Sequence, residues 1–537
     1  MANTNTEEVI DTIKVVKRNG KKVNFDTTKV ALAIKKGFDS IIDEEGETKY
    51  TEKDIQKVYQ NVLKKINKDY KNEEKIKIEE IQDLIEASLT KCGYEDVFQS
   101  FSEYREKRAQ SRQLFSDEKK MHKFLKSLEG LGLKSAVEED AKRENANIDG
   151  NSAMGTMLQY GSTVSKEFAK AYLMKKKFAD AHDNGDIHIH DMDFLAMGTT
   201  TCMQIDLNKL FKGGFSTGHG HLREPQSINS YSALAAIAIQ SNQNDQHGGQ
   251  SIPAFDFYMA PGVLKTFKKE FKQAIYELLD FTDFISFVNM DKVATAVDKL
   301  NSIEVDINVF EPFYKDSSEV RRIFDKAYDT AMAKTDRATY QAMEAFVHNL
   351  NTMHSRAGAQ VPFSSINFGT DTSPEGRMVM KNYLLSVDAG LGKNETPIFP
   401  ISIFKVKEGV NYNPGDPNYD LFKLSCKVSA KRLFPNFSFM DSPFNAQYYR
   451  GDYNTEVCYM GCRTRVMGNV VDPNKAVTPG RGNLSFTSIN LPRLGIKHGI
   501  VTNDKTDEKG FFEELGELMD MVKDQLLERF EIQCNKR

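Results

Sequence analysis

From about residue 146 onward, short β-like runs alternate with long helical patterns, and that alternation confines the chain to a large α/β architecture. The runs are Asp186–His190, Thr199–Asp206, Phe363–Phe368, Ile398–Phe404 and Leu484–Leu491. The helical patterns cover 165–182, 226–243, 263–290 and 318–354. At 537 residues and 40% hydrophobic content, the chain can bury a large core. Three or four ordinary domains would fit that length, as would one oversized barrel with a small domain beside it. The last stretch, 511–537, reads as an amphipathic helix.

The first 120 residues have a different character, rich in Lys, Glu and Asp and without Pro. Residues 13–18 read as a strand, Asn19-Gly20 as a hairpin turn, and 21–25 as the returning strand. Three or four helices follow. One starts near Thr51, where Thr51 and Asp54 form a capping pair. Another carries Ile78, Ile81, Leu84, Ile85 and Leu89 at helical spacing. These features predict a separately folded domain over 1–110, a charged helical connector over 111–145, and a large α/β domain over 146–537.

Other features narrow the function. The net charge is −4, from 72 basic and 76 acidic residues, which marks neither a nucleic-acid nor a membrane-surface protein. No apolar run reaches the roughly eighteen residues of a transmembrane helix, and the polar N-terminus lacks a signal core. Six cysteines without scaffold spacing point to a reducing, cytoplasmic setting.

Four segments could carry chemistry. Lys17 and Arg18 beside the Asn19-Gly20 turn suit a triphosphate, or form a solvated hairpin tip. His188 and His190 share one face of a strand; they could start a metal site or be buried, hydrogen-bonded histidines. Cys458 and Cys462 are four apart, with Arg465 where a cluster-binding Cys-x3-Cys-x2-Cys run would need its third cysteine, and no close Cys pairs suit a zinc ribbon. That leaves redox or radical chemistry at a single thiol, or inert burial. Gly461 before Cys462, with Arg463 and Arg465 after it, favours a tight turn in basic surroundings. Thr478-Pro479-Gly480-Arg481-Gly482-Asn483-Leu484 is a Gly-rich approach to a strand, where backbone could come close to a ligand.

Taken in order, these segments resemble the anaerobic (class III) ribonucleoside-triphosphate reductases, over nearly the whole chain. Val16-Lys17-Arg18-Asn19-Gly20 resembles the signature of an ATP-cone. Asn145 to Gly161, Gly185 to Asp191, Ser227 to Gly249, Asn349 to Asp371 and Tyr459 to Val466 resemble the catalytic domain of the large subunit. The resemblance implies a ten-stranded α/β barrel of the ribonucleotide reductase and glycyl-radical type, two five-stranded parallel halves set antiparallel, threaded by a finger loop. It implies that Cys462 carries a thiyl radical at the loop tip and that Met460 is the methionine of formate-dependent members. Cys202 would be the second active-site cysteine, on the first barrel strand, and Asn483 the asparagine facing the ribose. In the cone, Lys17, Arg18, Asn19, Gly20 and Lys29 would meet the phosphates of ATP or dATP, the allosteric effectors. Formate as co-substrate, a radical-SAM activating enzyme and a homodimer also follow from the resemblance.

The family also carries two zinc-binding Cys pairs and a radical-storing glycine in an Arg-Val-Cys-Gly-Tyr-type segment, and these 537 residues contain neither. The expectation is therefore an incomplete barrel, C-terminally truncated, with no metal site. It would be inactive alone and complemented by a segment supplied elsewhere. The alternatives are a fragment that only binds ATP or dATP, another glycyl-radical enzyme, or a His-x-His metal hydrolase.

Overall fold

The computed structural model describes residues 13–18, 20–42, 48–71, 73–116, 124–125, 152–315, 317–356, 360–499 and 506–536. The chain divides into two compact units, residues 1–126 with 170–180, and 127–169 with 181–537.

In the first unit, β1 (Lys14–Val16) pairs antiparallel with β2 (Lys22–Asn24). A strand that the sequence pattern did not signal, β3 (Lys75–Lys77), lies parallel on the other side of β1. Its pattern Lys-Ile-Lys is too short to register as periodicity, and only Ile76 turns inward. Four helices cover this sheet: α1 (Thr27–Asp39), α2 (Glu52–Asp69), α3 (Ile78–Cys92) and α4 (Glu95–Ser116). Asp54 accepts hydrogen bonds from the Thr51 N–H and hydroxyl at 2.9 and 2.7 Å, which fixes the start of α2. Val58, Val62 and Ile66 of α2 close the core against Ile81, Ile85 and Leu89 of α3, each recurring at helical spacing. The expected connector over 111–145 lies, apart from the end of α4 and residues 124–125, outside the described residues, as do Asn145 to Asn151.

The second unit is built on one six-stranded sheet. Its order is β8 (Asn436–Phe439), β7 (Ile401–Val406), β6 (Ser364–Phe368), β5 (Gln250–Ile252), β4 (Cys202–Gln204) and β9 (Gly482–Asn483). The first five are parallel, and β9 runs antiparallel to β4. The long patterns become α5 (Ile228–Asn242), α6 (Phe255–Phe281) and α7 (Ser318–Thr352), followed by α8 (Pro374–Ala389) and α9 (Tyr419–Arg432). Strand–helix–strand succession forces the parallel arrangement, and the helices take one face. Against that face Phe255 stacks on Phe346 with ring centroids 5.2 Å apart, and Phe368 meets Tyr383 at 5.3 Å.

This is the curled half of the expected barrel together with its first antiparallel strand. The count of ten strands is not reached among the described residues, where the largest sheet has six. The expected strands 186–190 and 484–491 do not join it: Ile187–Ile189 and Thr487–Ile489 form their own antiparallel pair.

A further helix, α10 (Glu508–Cys534), is amphipathic in reverse. Its buried residues are Leu518, Gln525, Arg529 and Gln533, while Phe512, Met519, Leu527 and Phe530 are exposed. No helix among the described residues is long and apolar enough to cross a membrane.

The aromatic stack sets the seating of α6 and α7 on the sheet. Phe346→Ala should lower the unfolding free energy by about 3–5 kcal/mol, read as a shifted urea midpoint at unchanged slope.

Candidate functional site

The site is assembled where a hairpin lies across the face of the sheet opposite the helices. Cys458–Tyr459 pairs antiparallel with Arg465–Val466, which places Met460 to Thr464 at the tip. The Arg463 N–H donates to the Met460 carbonyl at 2.8 Å, and the Met460 N–H to the Thr464 carbonyl at 3.0 Å. Closing this turn puts Arg463 at φ +71°, the left-handed region. Gly461 lies close to β7: a Cβ there would meet Ile401 Cδ1 at 2.8 Å, so the end of that side chain would have to shift.

The tip carries Cys462 onto Cys202. Their sulfurs lie 3.4 Å apart, and Cys462 Sγ is 3.2 Å from Thr464 Oγ1. Cys202 is buried at the start of β4, whereas Cys462 is exposed. Met460 is fully buried and packs with Cys202 and Val466 behind the thiols. Asn483 is the register partner of Cys202 across β4 and β9, and its carbonyl accepts the Thr201 N–H at 3.0 Å. Four predicted residues, Cys462, Cys202, Met460 and Asn483, thus converge on one place from segments up to 281 positions apart.

The electrostatics separate the two thiols. The contact with Cys202, assisted by Thr464, lowers the Cys462 thiol to about 5 against an opposing effect of burial. The same contact, with burial, pushes the Cys202 thiol far up. The basic surroundings expected from Arg463 and Arg465 are not the leading cause. Arg465 lies over the Phe444 ring at 4.7 Å, and the Arg463 guanidinium turns back to the Gly461 carbonyl.

The Gly-rich approach also serves a different purpose from the one its sequence suggested. A Cβ on Gly482 would meet the Cys202 carbonyl oxygen at 2.0 Å, so the missing side chain lets β9 lie against β4. His188 and His190 have ring centroids 4.5 Å apart; His190 Nε2 is 2.8 Å from Ser488 Oγ, and burial holds its imidazole below the usual value. No group of three or more His, Cys, Asp or Glu among the described residues could hold a metal ion.

Sequence reasoning missed the groups that hold the hairpin. Asn367 bonds both backbone groups of Tyr459, and Ser365 accepts the Gly461 N–H at 3.1 Å. Just before the hairpin, Glu456 is buried between Lys405 at 3.0 Å and Lys407 at 3.1 Å. Burial pushes the Glu456 carboxyl up, but the two ammonium groups prevail and hold it below its ordinary value. The Asp256 carboxylate accepts the backbone N–H groups of Gly369, Thr370 and Asp371 just beyond β6. Asp256, Lys405, Lys407 and Glu456 lie in no recognisable local pattern; Ser365 and Asn367 fall within Asn349 to Asp371, and Thr464 within Tyr459 to Val466, but nothing in those segments singles out their contacts.

In the first unit, Lys17 to Lys21 forms the hairpin turn, with Gly20 at φ +78° donating to the Lys17 carbonyl at 2.9 Å. Arg18 is ion-paired with Glu79 and donates to Gln82 at 2.8 Å, and Lys29 pairs with Asp26 at 3.2 Å. Asn19 lies outside the described residues. A concavity of about 550 Å³ nearby is lined by Val16, Lys22, Tyr70, Lys75 and Lys77 among others, and by none of the five predicted phosphate-binding residues.

Residues 144–537 match the family model described as anaerobic ribonucleoside-triphosphate reductase, and residues 13–110 match that of the ATP cone domain. The anaerobic ribonucleoside-triphosphate reductase of Haemophilus influenzae is 27% identical over 518 residues, 96% of this chain and 62% of its own length. That of Escherichia coli is 26% identical over 517 residues, with the same coverage of each. The chain therefore spans 62% of the length of these curated relatives. Among solved structures, the anaerobic ribonucleotide reductase from Thermotoga maritima in complex with dATP and CTP aligns with a TM-score of 0.52. It is 14% identical, with 80% of this chain and 62% of that one covered, a likeness of fold.

The thiol pair has a direct test. Alkylation of Cys462 by iodoacetamide, followed by peptide mass spectrometry, should persist as pH falls to about 5 and be lost below it. In Cys202→Ala the same loss should move up to the ordinary thiol range of about 8–9.

Proposed function

From the chain's membership of the anaerobic ribonucleoside-triphosphate reductase family, which the match over residues 144–537 establishes, we propose that its second unit reduces ribonucleoside triphosphates to 2′-deoxyribonucleoside triphosphates. The observation that carries this reading is the 3.4 Å approach of Cys202 and Cys462 beneath the hairpin tip.

In this reading Cys462, exposed at the tip, takes the 3′ hydrogen of the ribose as a thiyl radical. Cys202, whose S–H is retained because burial and its neighbour raise its pKa, protonates the departing 2′ hydroxyl, which leaves as water. Asn483, one strand away, holds the sugar hydroxyls. Formate restores the balance: the 2′ hydroxyl, formate and one proton become a 2′ hydrogen, water and carbon dioxide. Met460 lies behind both sulfurs, placed to affect their reactivity. A glycyl radical, when present, supplies the unpaired electron taken up at Cys462. The fit is a matter of access, since Cys462 is exposed while Cys202 is not. Zinc does not fit the described residues, among which no three or more His, Cys, Asp or Glu side chains group to hold a metal ion.

These 537 residues contain no glycine in an Arg-Val-Cys-Gly-Tyr-type setting, and the curated relatives are longer than they are. Beside α10, Ile489, Met519, Val522, Lys523, Leu526 and Leu527 line an open, largely apolar groove. In the first unit, ATP supports activity and dATP suppresses it, with Lys17, Arg18, Asn19, Gly20 and Lys29 at the phosphates. A radical-SAM activating enzyme, a homodimer and a reducing cytoplasm complete the proposal.

The test is anaerobic conversion of CTP to dCTP with formate, the activating enzyme and a polypeptide carrying the glycyl segment. Cys462→Ala should bring dCTP below detection while ATP binding is retained; dCTP formation by this variant would refute the assignment. Lys17→Ala with Arg18→Ala should relieve dATP inhibition and leave uninhibited turnover within about twofold. Unchanged dATP sensitivity would remove the hairpin from the effector site.

A further inference from the structure

One face of the sheet carries an unusual row of side chains. Ser251 of β5 and Ser365 and Asn367 of β6 are all fully buried. The register, Ser251 opposite Ser365, with Asn367 two residues on, places them on one face. Ile401 and Ile403 of β7 continue that face. Helices cover the other side, where apolar residues such as Ile366 and Phe368 point. Three buried polar groups in a row cost several kcal/mol if left without partners, so what satisfies them is informative.

Some of their partners lie within the sheet, at Gln250, Ser251 and Ile252, and the others on the backbone of the hairpin. Asn367 Oδ1 accepts the Tyr459 N–H at 2.9 Å, and Asn367 Nδ2 donates to the Tyr459 carbonyl at 2.9 Å. The Ser251 hydroxyl donates to the same carbonyl at 3.3 Å, and Ser365 Oγ accepts the Gly461 N–H at 3.1 Å. A side-chain amide here does what a neighbouring strand would do, pairing both polar groups of one residue. Tyr459 and Gly461 stand three and one positions before Cys462, so their register fixes where its sulfur falls. A shift of one residue would reverse the direction of every side chain at the tip.

We propose that Asn367, with Ser365, is a positioning residue that sets the separation of the Cys202 and Cys462 sulfurs by holding the hairpin backbone in register on β6. This deepens the reading of the thiol pair as the reacting centre, yet its test needs no turnover.

The experiment uses the full reduced chain under anaerobic conditions, with Cys92, Cys426 and Cys534 changed to Ser, and one equivalent of 5,5′-dithiobis(2-nitrobenzoate). The Cys462 thiolate attacks the reagent disulfide, forming a mixed disulfide and releasing one thionitrobenzoate. Cys202 then gives its proton to solvent and attacks the Cys462 sulfur. This releases the second thionitrobenzoate and leaves a Cys202–Cys462 disulfide: two protein thiols are oxidised and one reagent disulfide is reduced. At about pH 9 the first attack depends little on the contact with Cys202.

Asn367→Ala should leave the first release near the parent rate and slow the second by about tenfold or more, because only the second depends on the sulfurs being held together. A folded Asn367→Ala, with Cys458 still unreactive and the parent thermal transition, that closes the disulfide at the parent rate would overturn the proposal. Should Asn367→Ala not fold, Ser365→Ala decides. It removes one hydroxyl, should slow closure severalfold, and closure at the parent rate would count against the proposal equally. Closure independent of Asn367 defeats the positioning role and leaves the proposed reductase intact. Closure dependent on Asn367 in a chain that makes no dCTP when complemented does the reverse.

Discussion

The second unit depends on a hairpin being held against the inner face of a parallel sheet by side chains rather than by a strand ladder. A parallel sheet built from strand–helix–strand units normally has both faces covered, and its strands are buried throughout. Here β6 and β7 are buried at every position, but only one face is covered by helices. The other is closed by residues 458–466. Sheet and hairpin meet through these side chains: Ser365 and Asn367 bond within the sheet, to Gln250, Ser251 and Ile252, and with Ser251 they also bond the hairpin backbone.

The same dependence explains the buried charges. Lys405 sits at the end of β7 and Glu456 just before the hairpin, and both are almost wholly removed from water. A buried ion pair of this kind is a weak source of net stability, since desolvation offsets most of the attraction. It is a strong source of specificity, because any placement of residue 456 that misses Lys405 leaves two buried charges unpaired. Thr370 adds a third contact, donating its hydroxyl to Glu456 at 2.9 Å. Asp256 holds residues 369–371 by their amides, so the start of α6, the end of β6 and the approach to the hairpin are tied together within a few residues.

The alternation of strands and helices was legible because each long helix has its own periodicity and needs no tertiary context. The long helices 226–243 and 318–354 are found within a few residues of their expected ends. The hairpin tip at Cys462 was legible because Gly461 and its cationic neighbours mark a turn, and Cys202, Met460 and Asn483 were singled out by the ordered resemblance. What was not legible shares one property. Gln250–Ile252, Asn436–Phe439 and Lys75–Lys77 are three or four residues long and owe their existence to neighbours far along the chain. Asn367, Ser365, Glu456 and Lys405 look like ordinary polar residues until the fold brings them to Tyr459, Gly461 and each other. The arginines beside Cys462 misled for the same reason: proximity in sequence suggested their charge would tune the thiol, whereas the leading influence comes from Cys202, 260 positions away.

A second place in the unit repeats the device. The buried stripe of α10 is Gln525, Arg529 and Gln533, and it too turns polar groups toward irregular backbone. Arg529 Nη1 donates to the His190 carbonyl at 2.7 Å and Nη2 to that of Asp191 at 3.3 Å, while Gln533 Nε2 donates to the Thr199 carbonyl at 2.6 Å. These carbonyls belong to the segment that leads from the Ile187–Ile189 strand to Cys202. That segment leaves regular structure at Asp191, whose φ of +49° no strand could accommodate. A guanidinium held in so dry a place is costly unless its donors are used; Asp191 and Asp193 favour its charge, Nη1 and Nη2 hold the approach to β4, and Nε has no hydrogen-bond partner among the described residues. Cys202 and Cys462 are thus both reached by irregular backbone whose polar groups are met by side chains from distant elements. Irregular backbone allows the sulfurs to be brought within contact, and the amide and guanidinium groups make that irregularity a single conformation.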